Sequence, residues 1–148
     1  MIKKNLVSIL IINYNNEKYL DRAIKSCINQ SYKNLEILIY DDKSTDGSRF
    51  LLNKYSKHKK IKYFINKSKK KNMPAIDAKN SYYKLISKSK GDIIFLLDSD
   101  DYFLKNKVYK IVKKFNYNKK IHLIQDLPLV ITNNKKKIFK KNKNNLIS

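Results

Sequence analysis

One cysteine, two glycines, two prolines and no tryptophan occur in the 148 residues, and each scarcity removes a class of reading. With Cys27 alone, no disulfide can close within the chain, and no CxxC pair offers a zinc site. Gly47 and Gly91 are too few for a dinucleotide fingerprint or a P-loop, which need several glycines at fixed spacing so that backbone can approach phosphate. Carboxylates are scarce as well: 12 Asp plus Glu stand against 34 Lys plus Arg, a net charge of +22. Arginine is scarcer still, with Arg22 and Arg49 the only two. Such a charge raises the question of nucleic acid. A surface built to grip bases or phosphates bidentately uses Arg, however, and here Lys is spread evenly with Asn, Ile and Tyr, the imprint of an AT-rich gene. We therefore expect no nucleic-acid recognition, and at most a peripheral attraction to anionic membrane. The run from Leu6 to Ile12 is too short to cross a bilayer, and Met1-Ile-Lys-Lys-Asn does not read as a signal peptide. The expected location is cytoplasmic, with any membrane association at the inner face.

What is present is a core and an alternation. Hydrophobic residues make up 42% of the chain, enough for one α/β domain. Leu6 to Ile12, Glu36 to Tyr40, Ile61 to Ile65 and Ile93 to Leu97 read as strands, the first and last as continuous apolar runs suited to a sheet covered on both faces. Between them, Tyr19, Leu20, Ala23, Ile24, Cys27 and Ile28 form a helical stripe; so do Phe50, Leu51 and Tyr55, and then Ala75, Ala78, Tyr82, Leu85 and Ile86. Asn15 or Asn16 is a candidate cap for the first helix, and Ser44, Thr45 or Asp46 for the second. Pro74 suits a helix start. Val108, Ile111, Val112 and Phe115 continue as a fourth helix. Ile121 to Gln125 reads as a strand carrying His122 in an apolar setting, and Asp126 to Ile131 as an edge strand. His58 reads as a solvated loop residue. The expected division is a domain over 1–132 and a Lys/Asn tail over 133–148 that frays.

Two of the strands run straight into acids. Ile93 to Leu97 ends in Asp98-Ser-Asp-Asp101, and Glu36 to Tyr40 ends in Asp41 and Asp42. The carboxyl edge of a parallel sheet is where ligands bind, and carboxylates gathered there are costly without a cation among them. A divalent ion shared between these oxygens and substrate phosphates satisfies the first cluster. A strand followed by a polar turn and a helix start is the plainer alternative.

These residues also carry a resemblance. Val7-Ser-Ile-Leu-Ile-Ile-Asn-Tyr-Asn15 with Glu17 and Leu20, Glu36-Ile-Leu-Ile-Tyr-Asp-Asp-Lys-Ser-Thr-Asp-Gly-Ser48, Asn72 through Asn80, and Gly91 through Asp101 resemble the family 2 glycosyltransferases of the inverting, metal-dependent GT-A class. The resemblance implies a Rossmann-like GT-A α/β/α sandwich with a mostly parallel sheet, C-terminally truncated here. It implies that Ile12, Asn13, Tyr14 and Asn15 line a nucleotide-base pocket with Glu17 close by. Asp41 would receive the base edge, and Asp42 would support the same loop. Asp98-Ser99-Asp100 would be the DxD motif, with Asp98 near the ribose and Asp100 on a Mn²⁺ or Mg²⁺ bridging the diphosphate. The implied reaction moves a sugar from a nucleotide-sugar, a UDP-sugar first, onto a surface glycan or lipid-linked glycan. The chain departs from the family pattern at Ile12, where Pro is frequent, and at Lys43, Pro74 and Tyr82, where Gly is common. After Asp101 the one further acid is Asp126, too near for the family's usual base. The alternative expectation is therefore a fragment or split half that keeps donor binding, with a partner supplying the acceptor half.

Overall fold

The computed structural model describes residues 5–67, 74–125, 129–132 and 135–138. The chain divides into two compact units, Met1–Tyr117 and Asn118–Ser148.

In the first unit, strands β1 (Val7–Asn13), β2 (Leu35–Asp41), β3 (Ile61–Ile65) and β4 (Ile93–Asp98) alternate with helices α1 (Glu17–Ile28), α2 (Ser48–Lys54) and α3 (Pro74–Ile86); α4 (Lys107–Tyr117) follows. The strands are all parallel, in the order β3-β2-β1-β4. Parallel strands need crossover helices, and crossovers are right-handed. The steps from β1 to β2 and β2 to β3 run in one direction, so α1 and α2 belong to one face. The step from β3 back past β1 to β4 reverses direction and puts α3 on the other. Accordingly, Leu85 of α3 packs with Leu10, Leu38 and Tyr40, with Ile12, Phe64 and Tyr82 beside them. The strand order reverses between β1 and β4, and in such sheets the crevice at that point takes the ligand.

The core centres on β1, whose Ile9, Leu10 and Ile11 are fully buried, as are Ile37 and Ile39 of β2. Each such side chain contributes about 1.5–3 kcal/mol over an exposed one. Helix α1 buries Leu20, Ala23, Ile24 and Cys27 as its spacing predicts, whereas Tyr19 of the same expected stripe is exposed and Ile28 only partly buried. Burial pushes the Cys27 thiol up to about 12, which leaves it an inert packing group.

Four expectations are corrected. Strand β4 is an edge strand with alternating burial: Ile93, Phe95 and Leu97 are inside, whereas Ile94 and Leu96 are 40% and 54% exposed. The Ile93 N–H donates to the Leu6 carbonyl, so the backbone groups of Ile94, Leu96 and Asp98 point away from β1. In α2 the buried residues are Ser48 and Leu52, and Phe50 is 70% exposed. Residues 121–125 form no regular strand, and His122 is exposed there. Asn16 stands at the N-cap of α1 but makes no capping hydrogen bond, because its amide is used elsewhere.

In the second unit, β5 (Leu129–Thr132) pairs antiparallel with β6 (Lys135–Ile138). Strand β6 falls within the stretch read as a tail, most of which lies outside the described residues. Asp126 and residues 68–73 lie outside them too.

Candidate functional site

Strand register sets the site. Asn13 at the end of β1 lies opposite Asp41 at the end of β2, and Ile12 lies opposite Asp98 at the end of β4. The acid-ended strands therefore flank β1 at one edge of the sheet. Side chains at paired parallel positions share a face, so Asp41 starts on the α1 side with Asn13, and Asp98 on the α3 side with Ile12.

Asp41 is fully buried and organises the first half. One of its oxygens accepts from Asn13 Nδ2 at 2.8 Å and the other from the Ser44 N–H at 2.9 Å. Arg49 Nε stands 3.8 Å away. Ser44 Oγ accepts from Asn13 Nδ2 at 3.1 Å and from the Asn15 N–H at 2.9 Å. Asn15 Oδ1 in turn accepts from the Thr45 N–H at 2.7 Å. The loops after β1 and β2 are thus sewn together by short polar side chains. Two non-glycine residues hold left-handed backbone in these loops, Asn15 at φ 51° and Lys43 at φ 62°. Asn tolerates that region; Lys does so at a cost. Asn13 Oδ1 is left as a buried acceptor without a partner, an orphan that a native fold keeps rarely.

Glu17 and Asp46 staple α1 to the loop before α2. The Glu17 N–H donates to Asp46 Oδ2 at 2.9 Å, and Glu17 Oε2 accepts from the Gly47 N–H at 3.0 Å. A Cβ at Gly47 would meet the Glu17 carboxylate, the mobile end of a long side chain, which would have to move aside. Burial alone would raise the Asp46 carboxyl, but hydrogen bonds from Ser48 and the Glu17 backbone outweigh it and hold it below its usual value. Asp42 donates its N–H to the Asn13 carbonyl at 2.8 Å, and its Oδ1 accepts from Asn66 Nδ2 at 2.7 Å. Tyr14 is about half exposed at the rim.

The second half is the acidic turn. Asp98 Oδ1 accepts from Tyr82 OH at 2.8 Å, and burial with that carboxylate pushes the phenol well above its ordinary value. The Asp101 N–H donates to the Asp98 carbonyl at 3.0 Å and closes the turn. Ser99 is buried and accepts from Asn16 Nδ2 at 2.8 Å, which ties the turn to the start of α1. Asp98, Asp100 and Asp101 remain exposed. Burial raises the Asp101 carboxyl, and the charges of Asp100 and Asp98 raise it further. In a chain so rich in Lys, no described Lys or Arg nitrogen lies within 4.0 Å of these three carboxylates.

The negative charge gathered on this turn is what a cation relieves. Among the described residues no group of three or more His, Cys, Asp and Glu side chains forms a ready metal cage. An ion carried to the site with substrate phosphates does not need one, since one or two carboxylates suffice and phosphates and waters fill the other positions. The donor set fits Mn²⁺ or Mg²⁺ on those terms.

All the residues singled out from sequence, Ile12 to Asn15, Glu17, Asp41, Asp42, Asp98 and Asp100, thus meet at one sheet edge. Ile12 itself points into the α3-side core. Sequence reading missed Ser44 as the knot, Asn16 and Ser99 as the link between halves, and Tyr82 as the partner of Asp98. A pair such as Asn13 and Ser44, 31 positions apart, leaves no periodic signal.

The chain matches the family model "Glycosyl transferase family 2" over residues 8–146. It is 38% identical over 120 residues to an "Uncharacterized glycosyltransferase" of Haemophilus influenzae, covering 80% of this chain and 44% of that one. It is 38% identical over 103 residues to the Escherichia coli "UDP-Glc:alpha-D-GlcNAc-diphosphoundecaprenol beta-1,3-glucosyltransferase WfaP", covering 70% of this chain and 38% of the relative. The crystal structure of S. aureus TarS 1–349 in complex with UDP superposes with a TM-score of 0.65 at 20% identity, over 76% of this chain and 32% of that one. The chain thus spans less than half the length of these relatives. With nearly the whole chain, residues 8–146, matched by the family model, and with the parallel sheet and acid-ended strands that its motifs imply, the chain belongs to glycosyl transferase family 2.

Proposed function

We propose that this chain forms the donor-binding part of a glycosyltransferase that moves a sugar from a UDP-sugar to a lipid-linked or surface glycan with inversion, using Mn²⁺ or Mg²⁺. The observation that carries the reading is the meeting of two acid-ended parallel strands across β1 at the switch point of the sheet. The similarity to an Escherichia coli protein whose name specifies UDP-Glc and a diphosphoundecaprenol acceptor supports the donor and acceptor classes. The likeness to a fold crystallised with UDP is consistent with the donor class.

The residues take roles that fit their environments. Tyr14, Asn15 and the loop from Asp42 to Thr45 form the wall for the base. Asp41, buried beneath them, fixes the polar groups of Asn13 and Ser44, and through them the shape of that wall. Asp98, held by Tyr82, faces the ribose. Asp100, exposed on the turn, would hold the metal; when bound, that ion neutralises the charge that develops on the departing diphosphate. The acceptor is proposed to be held by polypeptide beyond the donor-binding part. Any attraction of the Lys-rich surface to the inner face of an anionic membrane would bring the chain to a lipid-linked acceptor; among the described residues no helix is long and apolar enough to cross a membrane.

Amide chemical-shift mapping of the ¹⁵N-labelled chain with UDP and Mg²⁺ tests the placement. The expected result is shifts confined to residues 13–17, 41–46 and 98–101. Shifts scattered over the Lys-rich surface, or none at saturating UDP, would contradict it.

A further inference from the structure

Both arginines of this Lys-rich chain stand at the acidic strand ends. Arg49 faces buried Asp41, and Arg22, on the exposed side of α1, reaches the acidic turn. Arg22 does not pair with a carboxylate. Its Nη2 donates to the backbone carbonyl of Asp100 at 3.2 Å, and its guanidinium lies 4.7 Å from the ring centre of Tyr102 and 5.6 Å from that of Tyr19. Further along, Ser26 Oγ of α1 accepts from the Phe103 N–H at 3.1 Å, and Gln30, just past the C-cap of α1, accepts from the Val108 N–H at 3.0 Å while donating to the Leu104 carbonyl at 2.9 Å. Arg22, Ser26 and Gln30 therefore grip the segment from Asp100 to Val108 at successive points, and Arg22 is the grip nearest the acids.

We propose that Arg22 is a positioning residue for Asp100: held by the two tyrosine rings and tied to the Asp100 carbonyl, it fixes the acidic turn through its backbone without pairing directly with any of the three carboxylates. The proposal rests on the donor-site reading for what the turn then binds. Its chemistry is specific to Arg. A planar guanidinium stacks on aromatic rings and keeps a fixed direction for its N–H groups, whereas a Lys ammonium is a mobile point charge. At position 22 a Lys would be free to swing onto Asp98, Asp100 or Asp101 and compete with the metal. The sequence uses Lys almost everywhere else, so Arg at this position matches a need that Lys does not meet.

The test uses Arg22→Lys and Arg22→Gln in the full chain, with two readouts. The first needs no ligand: hydrogen exchange at the Asp101 amide, whose bond to the Asp98 carbonyl closes the turn. Both variants are expected to speed this exchange about tenfold while the amides of β1 stay protected. The second is UDP affinity with and without Mn²⁺. Both variants are expected to lose about fivefold of the metal-dependent gain, with metal-free UDP affinity unchanged. A charge-only role makes the opposite forecast, since removing a cation beside the turn by Arg22→Gln would tighten Mn²⁺ binding, and Arg22→Lys would change nothing. Either of those results, or unchanged Asp101 exchange, overturns the proposal. If the native chain shows no metal-dependent UDP binding, the donor-site reading fails, and the exchange readout still decides whether Arg22 holds the turn.

Discussion

Lys43 follows the two acids that end β2 and holds φ at 62°, a region that costs a residue with a Cβ about 1–2 kcal/mol. Relatives commonly place Gly there, as the resemblance noted from sequence implies, and the backbone explains the preference. The loop must turn sharply so that the Ser44 N–H can donate to Asp41 and the Ser44 hydroxyl oxygen can accept from Asn13. Part of the gain from a Gly would be lost to the greater freedom of the unfolded chain. Lys43→Gly is therefore expected to raise stability by roughly 0.5–1 kcal/mol in urea denaturation, with an unchanged m-value. Destabilisation by the substitution would mean that the Lys side chain contributes contacts outweighing the strain.

At the scale of elements, β4 gives the sharpest forecast, because adjacent leucines differ only in which face they occupy. Leu97 is 5% exposed and Leu96 is 54% exposed. Leu97→Ala is expected to cost roughly 2–5 kcal/mol and Leu96→Ala under about 0.5 kcal/mol, both measured by chemical denaturation. Equal costs would mean that β4 is covered on both faces. The uninterrupted run Ile93 to Leu97 suggested that covering, and the reason for the error is topological. Apolar composition reports that a strand belongs to a sheet, but the strand order that leaves β4 at the edge comes from the reversal after β3. Helix phase in α2 was illegible for a related reason: Phe50, Leu51 and Leu52 are consecutive, and a helix of seven residues is too short for periodicity to choose among them. The longer helices α1 and α4 were legible from spacing because each repeats its apolar stripe over about three turns. The strand-end acids were legible because an apolar run broken by carboxylates is unusual. Their partners Asn66 and Tyr82, 24 and 16 positions away, were not, nor was the bond from Asn13 to Ser44 across 31 positions.

For the whole molecule, the distribution of charge matters more than its total. The sequence carries a surplus of +22, yet no described Lys or Arg nitrogen lies within 4.0 Å of the three carboxylates of the acidic turn, while Arg22 and Asn16 brace that turn through its backbone and Ser99. The basic background favours the arrival of an anionic diphosphate. The bare carboxylates repel it unless a divalent ion comes too, so nucleotide and metal should bind together or weakly. Calorimetric titration of the chain with UDP, with and without Mn²⁺ and repeated on Asp100→Ala, tests this most directly. The account predicts that Mn²⁺ strengthens UDP binding at least tenfold, about 1.4 kcal/mol, in the native chain and that Asp100→Ala removes most of that gain. Equal UDP affinity with and without metal, or a metal effect that survives the loss of Asp100, would contradict it.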